Sequence, residues 1–268
     1  MRKVAIVLPV MILALALAPL CRGTPGTFSQ RGGEIYDNWD LCRTRSWEND
    51  GFFQGSETSF RPAIAFESLG ELRDVAWQIG QQMAGQYIDR NQLAEQIFFH
   101  VRNHVAYTSD LDQFGMEEFA QNADELAEEI ETQGFARGDC EDDAILLAVM
   151  FRAAGFRSAV VLVPEHVAVV VHLPNYSKAN TFWNFKETGG WVWAEATGRT
   201  NPLGWTPPEY INADLAAYEV TEENSIFESR RAEVPTSSEE SPIINYLPFI
   251  SIIFFFRFFC LLSTPRRK

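Results

Sequence analysis

The chain has 268 residues, 46% of them hydrophobic and 13% aromatic. That supply of apolar side chains builds one sizeable core and excludes wholesale disorder. A formal net charge of -14 excludes the basic face that a nucleic-acid backbone requires. Lysine is confined to Lys3, Lys178, Lys186 and Lys268, so arginine carries most of the positive charge. The cysteines are Cys21, Cys42, Cys140 and Cys260, and their spacing fits neither a zinc ribbon nor a disulfide framework. Cys21 and Cys260 lie in apolar terminal stretches. Cys42 and Cys140 lie in the body, where they either pair or leave at least one thiol free.

Arg2 and Lys3 precede an apolar run over residues 4–20. A basic start followed by an apolar stretch reads as a signal peptide or an N-terminal anchor, assigned to residues 1–23. Residues 24–65 alternate glycine, serine and asparagine with single aromatics such as Tyr36, Trp39 and Trp47. They show little periodicity and read as an irregular extension packed on a following domain.

Helical patterning begins at Ser68-Leu69-Gly70-Glu71, which has the capping-box form. Leu72, Val75, Ala76, Ile79 and Met83 then mark one helical face. A second helix opens after Asp89 or Asn91, with Leu93, Ile97, Val101 and Val105 inward. A third is capped by Asn122, with Glu125 three residues on, and is closed by Gly134. The fourth begins at Cys140. Residues 144–151 are apolar almost all round, which predicts a buried helix, and Gly155 supplies its stop.

The pattern then changes. Residues 158–163 form a short β-branched run, Pro164-Glu165 make a tight connection, and His166 opens a second run reaching Leu173. Trp191-Val192-Trp193-Ala194-Glu195 gives a third strand. Helices followed by antiparallel strands predict an α+β domain over residues 66–227. Residues 228–242, rich in Glu, Ser and Pro, read as a solvated tether. Residues 243–262 are long enough to span a bilayer as a transmembrane helix. Arg257 interrupts that span at a cost of about 3 kcal/mol at mid-helix, but it lies toward the far end and can snorkel. Residues 263–268 are a basic cytoplasmic tail. The positive-inside rule places both termini in the cytoplasm and the domain between them on the extracytoplasmic side of the cell membrane.

Cys140 falls in the first turn of a central helix, where the helix's positive end favours thiolate. From the helix alone, a small core residue is the competing reading. A nucleophile needs a base, and the base needs an orienting group. His100 and His104 are spaced i, i+4 on a helix, with no acidic third ligand at a recognisable place, and read as surface or partly buried helix residues. His172 lies within a strand. His166 stands at a strand's opening after a turn, where side chains project toward a cleft. Glu195 closes the third strand, where a carboxylate can hold the second imidazole N–H and fix the tautomer. Asp139, Glu141, Asp142 and Asp143 flank the cysteine. Carboxylates in a helix's first turn are stabilised by its dipole without an ion, and EF-hand spacing is absent, so they read as helix-terminal charge. No metal and no cofactor is expected. Asn175-Tyr176-Ser177 fits the glycosylation sequon.

Four segments carry a family resemblance: Gly138-Asp139-Cys140-Glu141-Asp142-Asp143-Ala144-Ile145-Leu146-Leu147, then Phe151-Arg152-Ala153-Ala154-Gly155-Phe156, then Val163-Pro164-Glu165-His166-Val167-Ala168-Val169, then Trp193-Ala194-Glu195-Ala196-Thr197-Gly198. Together they resemble the transglutaminase-like superfamily, and most nearly its extracytoplasmic archaeal and bacterial members. Tyr107-Thr108-Ser109-Asp110 is similar to their pattern as well. The resemblance covers roughly residues 97–206. It implies the papain-like architecture, a cysteine-bearing helix against an antiparallel sheet. It also implies Cys140 as nucleophile, His166 as base and Glu195 as third member of a triad. The sequence departs from the superfamily in having Glu rather than Asp at 195, as the nearest members also do. It has Glu165 where Gly is expected, and a long loop over residues 175–190.

Three functions compete. The first is an extracytoplasmic cysteine peptidase or amidase acting through a thioester at Cys140. The second is an acyl transferase joining amides to amines, and the third is a silent binding module that keeps the fold. The substrate is expected to be a protein, a peptide or a cell-surface amide. A Cys42–Cys140 disulfide, favoured by an oxidising exterior, would silence the enzyme.

Overall fold

The structure, a computed structural model, describes residues 27–44, 75–163, 166–213 and 215–221. The N-terminal apolar segment, the capping box at 68–71, the Pro164-Glu165 connection, the tether, the predicted span and the basic tail lie outside these. Among the described residues no helix is long and apolar enough to cross a membrane.

The chain opens with a hairpin, β1 (Phe28–Arg31) and β2 (Glu34–Asp37), paired in antiparallel register. Its turn is Gly32-Gly33, with φ of 60° and 91°, backbone that glycine adopts without strain. The expected irregular extension is therefore ordered here, and Arg43 is the reason. Its side chain is fully buried, donating to Asp37 Oδ2 (2.7 Å), to the Ala120 carbonyl (2.7 Å) and to Glu125 Oε2 (3.0 Å). Burial opposes its charge, but Glu125 and Asp37 outweigh burial and raise its pKa.

Four longer helices and one short one follow: α1 (Val75–Gln86), α2 (Arg90–His104), α3 (Asp110–Phe114), α4 (Ala123–Gln133) and α5 (Cys140–Ala153). Asp89 caps α2 by accepting from Gln92 N–H. Asn122 caps α4 in a complete capping box with Glu125, and Gly134 ends α4 at φ 83°. Every residue from Ala144 to Phe151 is buried. α5 packs on α1, α2 and α4 on one side and on strands of the main sheet on the other. The approach of α1 to α5 is very close. A Cβ at Gly80 would stand 2.6 Å from the Met150 carbonyl oxygen.

Short strands β3 (Val105–Tyr107) and β4 (Ala136–Gly138) pair in parallel just before α5. The main sheet has five antiparallel strands: β5 (Ser158–Val163), β6 (His166–His172), β7 (Trp183–Phe185), β8 (Thr188–Ala194) and β9 (Ala216–Glu219). Their order is β7-β8-β6-β5-β9. The three expected strands are β5, β6 and β8; β7 and β9 are additions at the edges. The sheet is covered on both faces. Val160, Leu162, Val167, Val169, Val171, Val192 and Ala194 join the helical core. Ala159, Val161, Val163, Ala168, Val170, Trp191 and Trp193 form a second core on the far face. Burial on both faces makes these strands nearly continuous apolar runs.

Candidate active site

Cys140 is the first residue of α5, half-buried, and packs against the helical core. The approach to it is fixed by β4. The Thr108 N–H donates to the Gly138 carbonyl (2.9 Å), and a Cβ at Gly138 would lie 2.8 Å from the Asp142 Cβ. Glycine is thus required where the strand runs against the helix's first turn. Asp142 locks that turn. It accepts from the Gln121 backbone N–H (2.7 Å), from Gln121 Nε2 (2.8 Å) and from the Asp139 N–H (3.3 Å). The Cys140 thiol donates to Glu141 Oε2 at 3.2 Å.

The acids expected as helix-terminal charge do lie in the first turn of α5, and most of them are buried there. Glu141 and Asp142 are 1% exposed, Asp143 is 3% exposed, and Asp110, reached from α3, is 2% exposed. Burial raises Asp139 and Asp142. The Glu141 and Asp110 charges add to both shifts, and the hydrogen bonds from Gln121 partly oppose the rise at Asp142. Burial also raises Asp143, with the charges of Asp142 and Glu195 adding. Asp139, pushed up to about 11, opposes a Cys140 thiolate less than an ionised carboxylate at that place would. Three overlapping groups have ligand atoms within 4.8 Å of one another and could hold a cation: Asp139/Cys140/Glu141, Asp110/Asp139/Asp142 and Asp110/Glu118/Glu141.

His166 and Glu195 meet on the other face of the sheet. His166 pairs across from Val163, a residue of the far-face core, and Glu195 follows Trp193 of the same core by two residues. His166 Nε2 lies 3.4 Å from Glu195 Oε1, with side-chain exposures of 15% and 13%. The distance is that of an ion pair rather than of a short hydrogen bond. Glu195 is further held by Trp193 Nε1–H donating to Oε2 (3.1 Å) and by Thr197 Oγ1–H donating to Oε1 (3.0 Å). Burial alone would raise the Glu195 pKa. The contacts from His166, Trp193 and Thr197 outweigh it and hold the carboxyl below its usual range.

The Tyr210 ring is stacked on the His166 ring (centroids 5.8 Å, interplanar 8°) and on Trp193 (5.7 Å, 24°). His166, Tyr210, Trp193 and Glu195 thereby close a circuit of contacts around the imidazole. Sequence reasoning missed three of its supports. The period of two in β8 carried the signal for Trp193, since it shares a face with Glu195. Thr197 and Tyr210 lie in irregular chain and had none. The Glu195 charge acts on Asp143 in the first turn of α5.

The remaining histidines lie elsewhere. His100 and His104 stack at 4.7 Å, and His104 Nδ1–H donates to the His100 carbonyl (2.7 Å). Burial, with the His104 charge adding, pushes His100 down to about 4. His172 Nε2 meets the Gly189 carbonyl at 3.0 Å. Cys42 and Cys140 are not joined to each other in a disulfide in this structure.

A cavity of about 240 Å³ opens beside the pair and is lined by His166, Glu195, Trp205, Glu209 and Tyr210 among others. A larger one of about 440 Å³ lies between the β1–β2 hairpin and residues 116–118. It contains no histidine or cysteine, so the smaller cavity is the one placed for chemistry.

No family profile matches the chain, and no curated protein matches it in sequence. Among solved structures it is similar to a protein of Parabacteroides distasonis ATCC 8503 named as a candidate protease. The identity is 15%, the match spans 61% of this chain and 36% of that one, and the TM-score is 0.34. A likeness of that size carries no argument about activity, which rests on the site.

Proposed function

We propose that this chain is a cysteine hydrolase of the transglutaminase-like kind, cleaving an amide through a thioester on Cys140. The observation that supports it is the half-buried His166–Glu195 pair, whose carboxylate acts on Asp143 in the first turn of the cysteine helix. With Nε2 turned to a carboxylate held anionic, Nδ1 is the imidazole nitrogen left to exchange protons with thiol and substrate. The reading runs as follows. His166 takes the Cys140 proton, and the thiolate attacks the amide carbonyl. The Cys140 backbone N–H at the helix's positive end donates to the oxyanion. The imidazolium gives its proton to the nitrogen as the C–N bond breaks and the amine departs. Water, deprotonated by His166, then attacks the thioester. The acid is released and the thiol is restored. Glu141, which accepts a hydrogen bond from the thiol, competes with His166 for that proton until substrate arrives.

On this reading the substrate is a protein, peptide or cell-surface amide met outside the cell, with the chain held at the membrane by residues 243–262. Acid quenching of the enzyme during turnover tests it. The peptide that contains Cys140 is expected to carry the acyl part of the substrate by mass. An adduct-free Cys140 in an actively hydrolysing preparation would contradict it. Adding a primary amine separates transfer from hydrolysis, since a transferase would release a new amide in place of the acid.

A further inference from the structure

The cavity beside His166 has a chemical character that the triad does not use. At about 240 Å³ it falls below the ~300–1,000 Å³ of small-molecule pockets, so it seats a single side chain. Trp205, half-buried, and Pro207 give it an apolar wall. Two carboxylates line it and no lysine or arginine does. The Glu195 carboxylate is engaged by His166, Trp193 and Thr197. Glu209, exposed at the rim, has no hydrogen-bond or ion-pair partner among the described residues. Arg102, which reaches the cavity-lining Asn201, donates to its carbonyl (3.0 Å) and lies over the faces of Phe98 and Phe99, so it does not neutralise Glu209. An indole wall and an uncompensated carboxylate are the two elements that hold an ammonium or guanidinium group.

We propose that this cavity is a subsite for a lysine or arginine side chain on the amine side of the scissile bond; the choice of side rests on the hydrolase reading above. His166 protonates the departing amine, so whatever shares its cavity touches the residue that departs. The acyl part stays with Cys140.

Two measurements on the full chain test the subsite separately from the chemistry. In the first, the Cys140→Ala variant is titrated with the Nα-acetyl amides of lysine, norleucine and glutamate. Indole N–H resonances are followed by NMR, with Trp205 assigned through Trp205→Phe. The lysine derivative is expected to shift the Trp205 resonance and to bind about tenfold more tightly than norleucine. That advantage should largely vanish in Glu209→Gln. Equal binding of lysine and norleucine, or tighter binding of glutamate, would overturn the subsite. In the second, the unmodified chain cuts a fluorogenic peptide library. Enrichment of Lys and Arg immediately after the cut supports the proposal. Cutting without that bias overturns the subsite and leaves the hydrolase standing. Selective lysine binding with no peptide cut supports the cationic cavity and overturns the hydrolase reading.

Discussion

Glu195 is held from three sides, by His166, Trp193 and Thr197. Replacing it with glutamine keeps the shape but removes the charge that orients imidazolium. Hydrolysis is expected to fall about 10²–10⁴-fold, read as kcat with KM little changed. The neighbouring acids make an opposite prediction about stability. Asp139, Asp142 and Asp143 have pKa values raised above their ordinary 3.8, so the folded chain holds protons that the unfolded chain releases. Stability from these groups is complete below pH 3.8 and is lost as pH rises toward their folded values. Two groups act the other way. Glu195, with a lowered pKa, stabilises above its ordinary 4.5. His100, lowered to about 4, has its full effect above 6.5. Above pH 6.5 Asp139, pushed up to about 11, therefore sets the slope among these groups, and Tm is expected to fall between pH 6.5 and 9. Asp139→Asn should flatten that fall and raise Tm at pH 8, with little change near pH 4. Thermal scans across pH check both statements; an unchanged slope in the variant would contradict the assignment.

Among the elements, α5 was the most legible in the sequence, because an eight-residue apolar run can only be buried and its two ends carry recognisable chemistry. Strands β5 and β6 were legible for the same reason, as β-branched runs separated by a proline turn. Strands β7 and β9 and the hairpin were not. Three or four residues are too few to show a period, and β9 begins Ala216-Ala217, which favours no strand. The Gly32-Gly33 turn was visible, but the strands beside it are largely polar. Two contacts between elements lead to predictions. Gly80→Ala places a methyl against the Met150 carbonyl and the Ala153 Cβ at 2.6 and 2.8 Å. It is expected to cost about 1–3 kcal/mol, read by denaturant unfolding. Arg43→Ala removes the charged donor to Asp37 Oδ2 and to the Ala120 carbonyl inside the protein. It is expected to cost about 3–5 kcal/mol, with the hairpin's amides losing hydrogen-exchange protection before those of α5.

In the whole molecule, the proposed site draws on two layers: α5 supplies the thiol, and β6 with the chain after β8 supplies the imidazole, its carboxylate and the aromatic support. The place of His166 at a strand's opening and of Glu195 at a strand's end was readable in advance, because these are local features. The burial of the acids was not readable. It depends on Gln121 and Asp110, which lie 21 and 32 positions before Asp142 and are brought to it only by the fold. Nor was Tyr210, whose stacking on His166 is set by irregular chain after the last helix. The central claim is that the His166–Glu195 pair activates Cys140. It is tested most directly by the rate of Cys140 alkylation with iodoacetamide across pH, with buried Cys42 as the internal comparison. The wild-type chain is expected to label at Cys140 at least about tenfold faster at neutral pH than His166→Ala, with Glu195→Gln in between. Equal rates in all three proteins, or labelling that rises only with the ordinary thiol near pH 8.5, would contradict it.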